Sequence, residues 1–149
     1  MGTPSLPKDF KEFLKLLNEN RVEYLVVGGY AVSFYGYVRA TADLDVWIAL
    51  DVQNARKAVA ALRKFGFDVE ELTVDLLLTP DRIIRMGIPP FRIEMLTSIS
   101  GVQFLECYPK RTVHELDGIE VSLIGLEDLK VNKRASGRLK DLSDLEHLP

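Results

Sequence analysis

Asp43 and Asp45 stand two residues apart in "TADLDVWIAL", a stretch whose remaining positions are mostly apolar. Alternation of period two puts Leu44, Val46 and Ile48 on one side of a strand and Asp43, Asp45 and Trp47 on the other. Two carboxylates on one strand face lie about 6–7 Å apart at their β-carbons. At that range they repel, and each raises the other's pKa unless a cation sits between them. A hard divalent ion that takes oxygen ligands, Mg²⁺ above all, resolves the conflict. A solvent-facing strand edge with incidental acids is the alternative, although aspartate is a poor strand former.

A third acid follows in "FRIEML". Ile93 and Met95 alternate to one face there, and Arg92 and Glu94 to the other. If the two strands are neighbours, Glu94 joins the aspartates. Three carboxylates can hold two Mg²⁺ ions about 3.5–4 Å apart, the arrangement used for in-line phosphoryl displacement. Taken alone, Glu94 also reads as an exposed strand residue paired with Arg82, Arg85 or Arg92. Upstream, Gly28-Gly29 lies between the β-branched run "EYLVV" and a segment of helical spacing. Free backbone N–H groups at such a strand-to-helix junction favour an anion, and a residue without a β-carbon lets phosphate approach closely. Together, the glycines and the acids suit a nucleoside triphosphate held with magnesium.

The elements that must position these groups can be read from the chain. Apolar spacing from Pro7 to about Asn20 predicts a helix, and Glu23 to Gly28 a buried strand. A short helix from Gly29 ends near Gly36, and Val52 to Phe65 is amphipathic, with Ala55, Val59 and Leu62 inward. "FDVEELTVDLLLTP" reads as a strand followed by a short helix. Arg82 to Ile88 and Phe91 to Leu96 read as strands joined at Pro89-Pro90, and Gly101 to Tyr108 as a short helix. "TVHELDGIEVSLI" predicts a hairpin around Asp117-Gly118. Two helices, Leu126 to Ala135 and Arg138 to Leu148, hinge near Ser136-Gly137. Strands interleaved with helices indicate an α/β (α+β) fold, a mixed β-sheet flanked by helices with a helical tail, as one domain over residues 1–149.

Bulk properties bound the partners. A formal charge of −3 argues against a wholly basic nucleic-acid coat, yet Lys130, Lys133, Arg134, Arg138 and Lys140 form a local basic run. One cysteine, Cys107, fits a reducing compartment, and two histidines make a histidine-rich metal site improbable. No segment approaches the ~18 apolar residues of a membrane span, so a cytoplasmic protein without membrane contact is expected.

Gly28-Gly29, thirteen intervening residues, Asp43-Leu44-Asp45 and later Glu94 resemble the signature of the nucleotidyltransferase superfamily. The run "VGGYAVSFYGYVRATADLDVWI", with the tail "LIGLEDLKVNKRASGRLKDLSDLEHL", is most similar to the AbiEii-type branch of abortive-infection and toxin-like proteins. The resemblance implies transfer of a nucleoside monophosphate from an NTP to an RNA end, such as that of tRNA, or to a protein hydroxyl. Asp43 and Asp45 would ligate both metals, and Glu94 would complete the metal site and assist the acceptor hydroxyl. Gly28 and Gly29 would hold the triphosphate, with Lys133, Arg138 or Lys140 neutralising its charge. Arg39 and Thr41, just before the acids, would contact phosphate or acceptor, or else only order the loop. A cognate toxin or antitoxin partner, or a homo-oligomer, is implied because the short chain shows no acceptor-binding domain. Tyr30 stands where many members carry serine, and Glu94 where aspartate is usual. A catalytically silent nucleotide-binding or antitoxin-like module of the same fold is therefore the alternative, and a Mg²⁺ nuclease using the same acids a third.

Overall fold

The computed structural model describes residues 6–38, 41–87 and 90–149. Arg39 and the Pro89 half of the expected turn lie outside them. Among the described residues six strands form one mixed sheet in the order β3-β4-β2-β1-β6-β5. Its centre is β1 (Tyr24–Val27) and β2 (Asp43–Ile48), which pair antiparallel and are separated in sequence by α2 (Gly28–Phe34). All four residues of β1 are buried, which explains why the segment is apolar without alternation. β2 runs parallel to β4 (Arg92–Leu96), and the edge strand β3 (Ile83–Met86) pairs antiparallel with β4. On the other side β6 (Ile119–Leu123) lies parallel to β1 and carries β5 (Thr112–Leu116) as the second edge. The hairpin turns through Asp117 and Gly118, both at positive φ (51° and 80°), as a two-residue primed turn requires.

Helices α1 (Lys8–Glu19) and α3 (Val52–Phe65) pack on each other, with Phe13 and Phe65 edge to face at 5.2 Å. Asp51 caps α3 by accepting from the Asn54 N–H, and Gly66 ends it in the left-handed region. Buried Asn54 fastens that helix to the sheet. It accepts from the Glu23 N–H at 2.7 Å and donates to the carbonyls of Glu23 and Ala49 at 3.1 and 3.0 Å. This polar lock fixes the start of β1 against the end of β2.

On the face that carries Asp45, Trp47 is buried and meets Phe104 of α4 (Phe104–Cys107) edge to face at 5.1 Å. Trp47 thus packs, and its ring is not offered to a base. The tail forms α5 (Leu126–Ser136) and α6 (Leu139–His147), separated by Gly137 at φ +68°. One expected element is missing: 67–79 contains no strand, only turns and a single 3₁₀ turn, Leu76–Leu78. Asp68, Val69, Glu70 and Glu71 are all exposed, so the alternation that a half-buried strand needs is absent; buried Leu72 and Leu77, with Phe67, Val74, Leu76 and Leu78 packed partly buried, anchor the segment on the core. Among the described residues no helix is long and apolar enough to cross a membrane.

Candidate active site

The register of three strands builds the site. Asp45 lies opposite Glu94 across the parallel pair, and Glu94 lies opposite Arg85 across the antiparallel pair. Asp43 lies opposite Arg92 in the next row. Neighbouring strands sit about 4.8 Å apart, so the aspartates and Glu94 share one surface, as their spacing in two separate sequence runs predicts. Leu44, Val46, Ile93 and Met95 on the reverse side are buried and hold both strands in the core.

The acids are not equivalent. Asp43 accepts from Arg92 Nη2 at 3.2 Å and Nε at 3.4 Å, and Glu94 accepts from Arg85 Nε at 2.8 Å. Asp45 Oδ1 is buried and finds no hydrogen-bond partner among the described residues. Burial, followed by the charges of Glu94 and Asp43, pushes the Asp45 pKa up to about 7, while Lys140 and Lys133 act in the opposite direction. A buried carboxylate oxygen without a donor is costly, and a group left in that condition invites a cation or a proton.

Gly28 sits against this carboxylate. Its φ is +68°, and a β-carbon built there would collide with Asp45 Oδ2. The first glycine of the pair is therefore required twice, by its backbone conformation and by the closeness of Asp45. Gly29 is buried one residue further into α2. Tyr30 turns away from the acids into the core, where its ring meets Phe10 edge to face at 5.6 Å. The residue in the place of the usual serine thus leaves the acid face clear.

A cleft of about 280 Å³ opens over the acids, with Gly28, Asp45 and Glu94 on one side and Asn132, Lys133, Ser136 and Arg138 on the other. Ser98 and Ser100, after β4, add hydroxyls to its wall. A family model described as nucleotidyltransferase of unknown function, DUF6036, matches residues 5–148. The chain belongs to that family. No curated protein matches the chain. Among solved structures it is similar to a candidate nucleotidyltransferase from Thermotoga maritima, with TM-score 0.60 and 15% identity over 92% of this chain and 88% of that one. It is also similar to an antigenic nucleotidyltransferase-like protein from Paracoccidioides brasiliensis, with TM-score 0.53 and 19% identity over 96% and 77% of the two chains. At these identities the solved structures speak for the fold alone.

The remaining residues singled out in the nucleotidyltransferase signature fall into different environments. Lys133 lines the cleft, but its ammonium is buried and ion-paired with Asp141 at 3.1 Å and Asp144 at 3.0 Å. Arg138 also lines the cleft, donates from Nε to Asp141 Oδ2 at 2.7 Å, and keeps a side chain 67% exposed. Asp141 in turn accepts from the Arg138 backbone N–H at 3.3 Å, closing the start of α6. Lys140 is exposed on the first turn of α6, and its charge reaches Asp45. Thr41 Oγ1 lies 3.5 Å from the Asp43 carbonyl, a contact at the entry to β2. Asn132, Ser98, Ser100 and Ser136 carry no spacing signal that sequence reasoning could have used. The Asp43–Arg92 pair could have been suspected, because both alternate to the acid face.

Proposed function

We propose that the protein transfers a nucleoside monophosphate from an NTP to an acceptor hydroxyl with Mg²⁺, releasing pyrophosphate. The observation that carries the reading is Asp45: a buried carboxylate with an orphaned oxygen, beside Glu94 in a polar cleft and with the charge of Asp43 close by. Among the described residues no three acidic, histidine or cysteine side chains converge as a ready-made metal cage. The donor chemistry nevertheless fits a hard divalent cation, with oxygen donors of like charge and one of them lacking a partner. Asp45, Asp43 and Glu94 would hold it, and when bound it would offset charge on the phosphates and the departing pyrophosphate.

The chain's own groups have separate tasks. Gly28 lets the triphosphate come close to the backbone beside Asp45. Arg138 and Lys140 take up phosphate charge at the cleft mouth, while Lys133 fixes α6 so that both are held there. The acceptor oxygen attacks the α-phosphorus, the bond to the bridging oxygen of pyrophosphate breaks, and the acceptor proton passes to Glu94. An RNA end is the acceptor best suited to the basic helical tail. The likeness to the AbiEii-type branch extends this to a role beside a toxin or antitoxin partner in a reducing cytoplasm.

Incubation with each α-labelled NTP, Mg²⁺ and bulk tRNA tests the reaction. Label is expected in RNA, and its loss is expected in the double variant Asp43→Ala, Asp45→Ala. No label in RNA or protein, together with no Mg²⁺-dependent NTP binding, would exclude transfer. NTP binding without transfer would instead identify a silent module, and RNA shortening without NTP a nuclease.

A further inference from the structure

We propose that Arg85 and Arg92 occupy two alternative positions: on Glu94 and Asp43 in the free protein, and on phosphate oxygens once a divalent cation takes the carboxylates. Each arginine engages an acid implicated in metal binding, at 2.8 Å for Arg85–Glu94 and 3.2 Å for Arg92–Asp43. Neither is a core partner, because the Arg85 and Arg92 side chains are 59% and 39% exposed. Long, exposed guanidinium groups can swing without disturbing the packing beneath them, unlike the buried Lys133.

Their placement across the sheet supports the exchange. Reading from the middle of the sheet to its edge, the row runs Asp45, Glu94, Arg85, and Arg85 stands on edge strand β3. A phosphate that approaches the acids from that edge meets the arginines first. The three carboxylates outnumber the two guanidinium groups in these rows, and a divalent cation bound to them adds two positive charges. The arginines then lose their hold on the acids as the same surface becomes attractive to a phosphate. The planar fork of arginine suits bidentate contact with phosphate as well as it suits a carboxylate.

The shared ligand chemistry is a phosphate oxyanion, from either the triphosphate of the nucleotide or the phosphodiester of an acceptor strand. The inference rests on the nucleotidyl-transfer reading, and its test can separate the two. Mn²⁺ is titrated calorimetrically into the unsubstituted protein, Arg85→Gln, Arg92→Gln and the double variant, with circular dichroism confirming their fold. Mn²⁺ affinity is expected to rise about two- to fivefold per substitution, as a competing exposed charge is removed. Binding of inorganic triphosphate or of a short single-stranded oligoribonucleotide, with Mn²⁺ present, is expected to weaken by at least about fivefold. The probe that weakens identifies the source of the phosphate. Arg85→Lys, which keeps charge without the fork, is expected to fall between. Unchanged or weaker Mn²⁺ binding in the variants, or no loss for either anion, would overturn the exchange alone. Absence of Mn²⁺ binding to the unsubstituted protein would overturn it together with the metal-dependent reading.

Discussion

Two carboxylate clusters lie on opposite sides of one cleft, and they are built on contrary principles. Asp141 and Asp144 are fully buried beside Lys133, and Arg138 reaches Asp141 from outside. Burial works against the charge on Asp141, but hydrogen bonds from Arg138 and Lys133 outweigh it and leave the pKa below its ordinary value. Across the cleft Asp45 is buried with two acids for neighbours, and its pKa goes the other way, to about 7. The paired cluster ties α6 to α5. Of the three acids on the sheet, Asp43 and Glu94 are paired with Arg92 and Arg85, while Asp45 Oδ1 has no hydrogen-bond partner among the described residues.

Loss of a partner from the satisfied cluster should have the larger effect. Lys133→Ala would remove the buried ammonium between Asp141 and Asp144, and breaking such a buried pair typically costs about 3–5 kcal/mol. The expected result is a Tm lowered by roughly 6–15 °C, checked by thermal and urea unfolding. Unaltered stability would show that the pairing does not hold α6.

Removing charge from the frustrated cluster should do the reverse. The folded-state pKa of Asp45, about 7, exceeds its ordinary value of 3.8, so the folded protein retains a proton that the unfolded chain releases. Between those pH values Asp45 draws stability down as pH rises, and above pH 7 the penalty is complete. Asp45→Asn should therefore raise the Tm at pH 8 by about 3–8 °C, with the gain shrinking as pH falls through 7 toward 4. A destabilised variant at pH 8 would mean that Asp45 is satisfied in the fold.

Much of this contrast was legible in the chain, and the illegible part has physical causes. Period two in "DLDVWI" and "FRIEML" located the acids on one face, because alternation survives any tertiary context that buries the other face. Gly28 was legible as a turn at a strand-to-helix junction, but its collision-free fit against Asp45 depends on the pairing of Val27 with Asp45 in a different element. Lys133 reads from sequence as one cation of a basic run, expected to neutralise phosphate charge. Its burial follows from the reversal at Gly137, which folds Asp141 and Asp144 back onto α5, and charge spacing within a run does not report that. The absent strand in 67–79 has a related cause: the residues from Asp68 to Glu71 are all exposed and pair with no neighbouring strand among the described residues. Asn54 carried no signal because a polar residue on a helix is ordinarily exposed, and its role arises from backbone groups on two other elements.

In the proposed reading, Asp45 Oδ1 has no hydrogen-bond partner among the described residues because a divalent cation takes the acid face. Calorimetric titration of Mn²⁺ into the unsubstituted protein and into Asp45→Asn at pH 8 tests it most directly. Saturable binding to the former, lost or weakened at least about tenfold in the latter, is the predicted result. Equal affinity in the two proteins, or no binding to either, would contradict it.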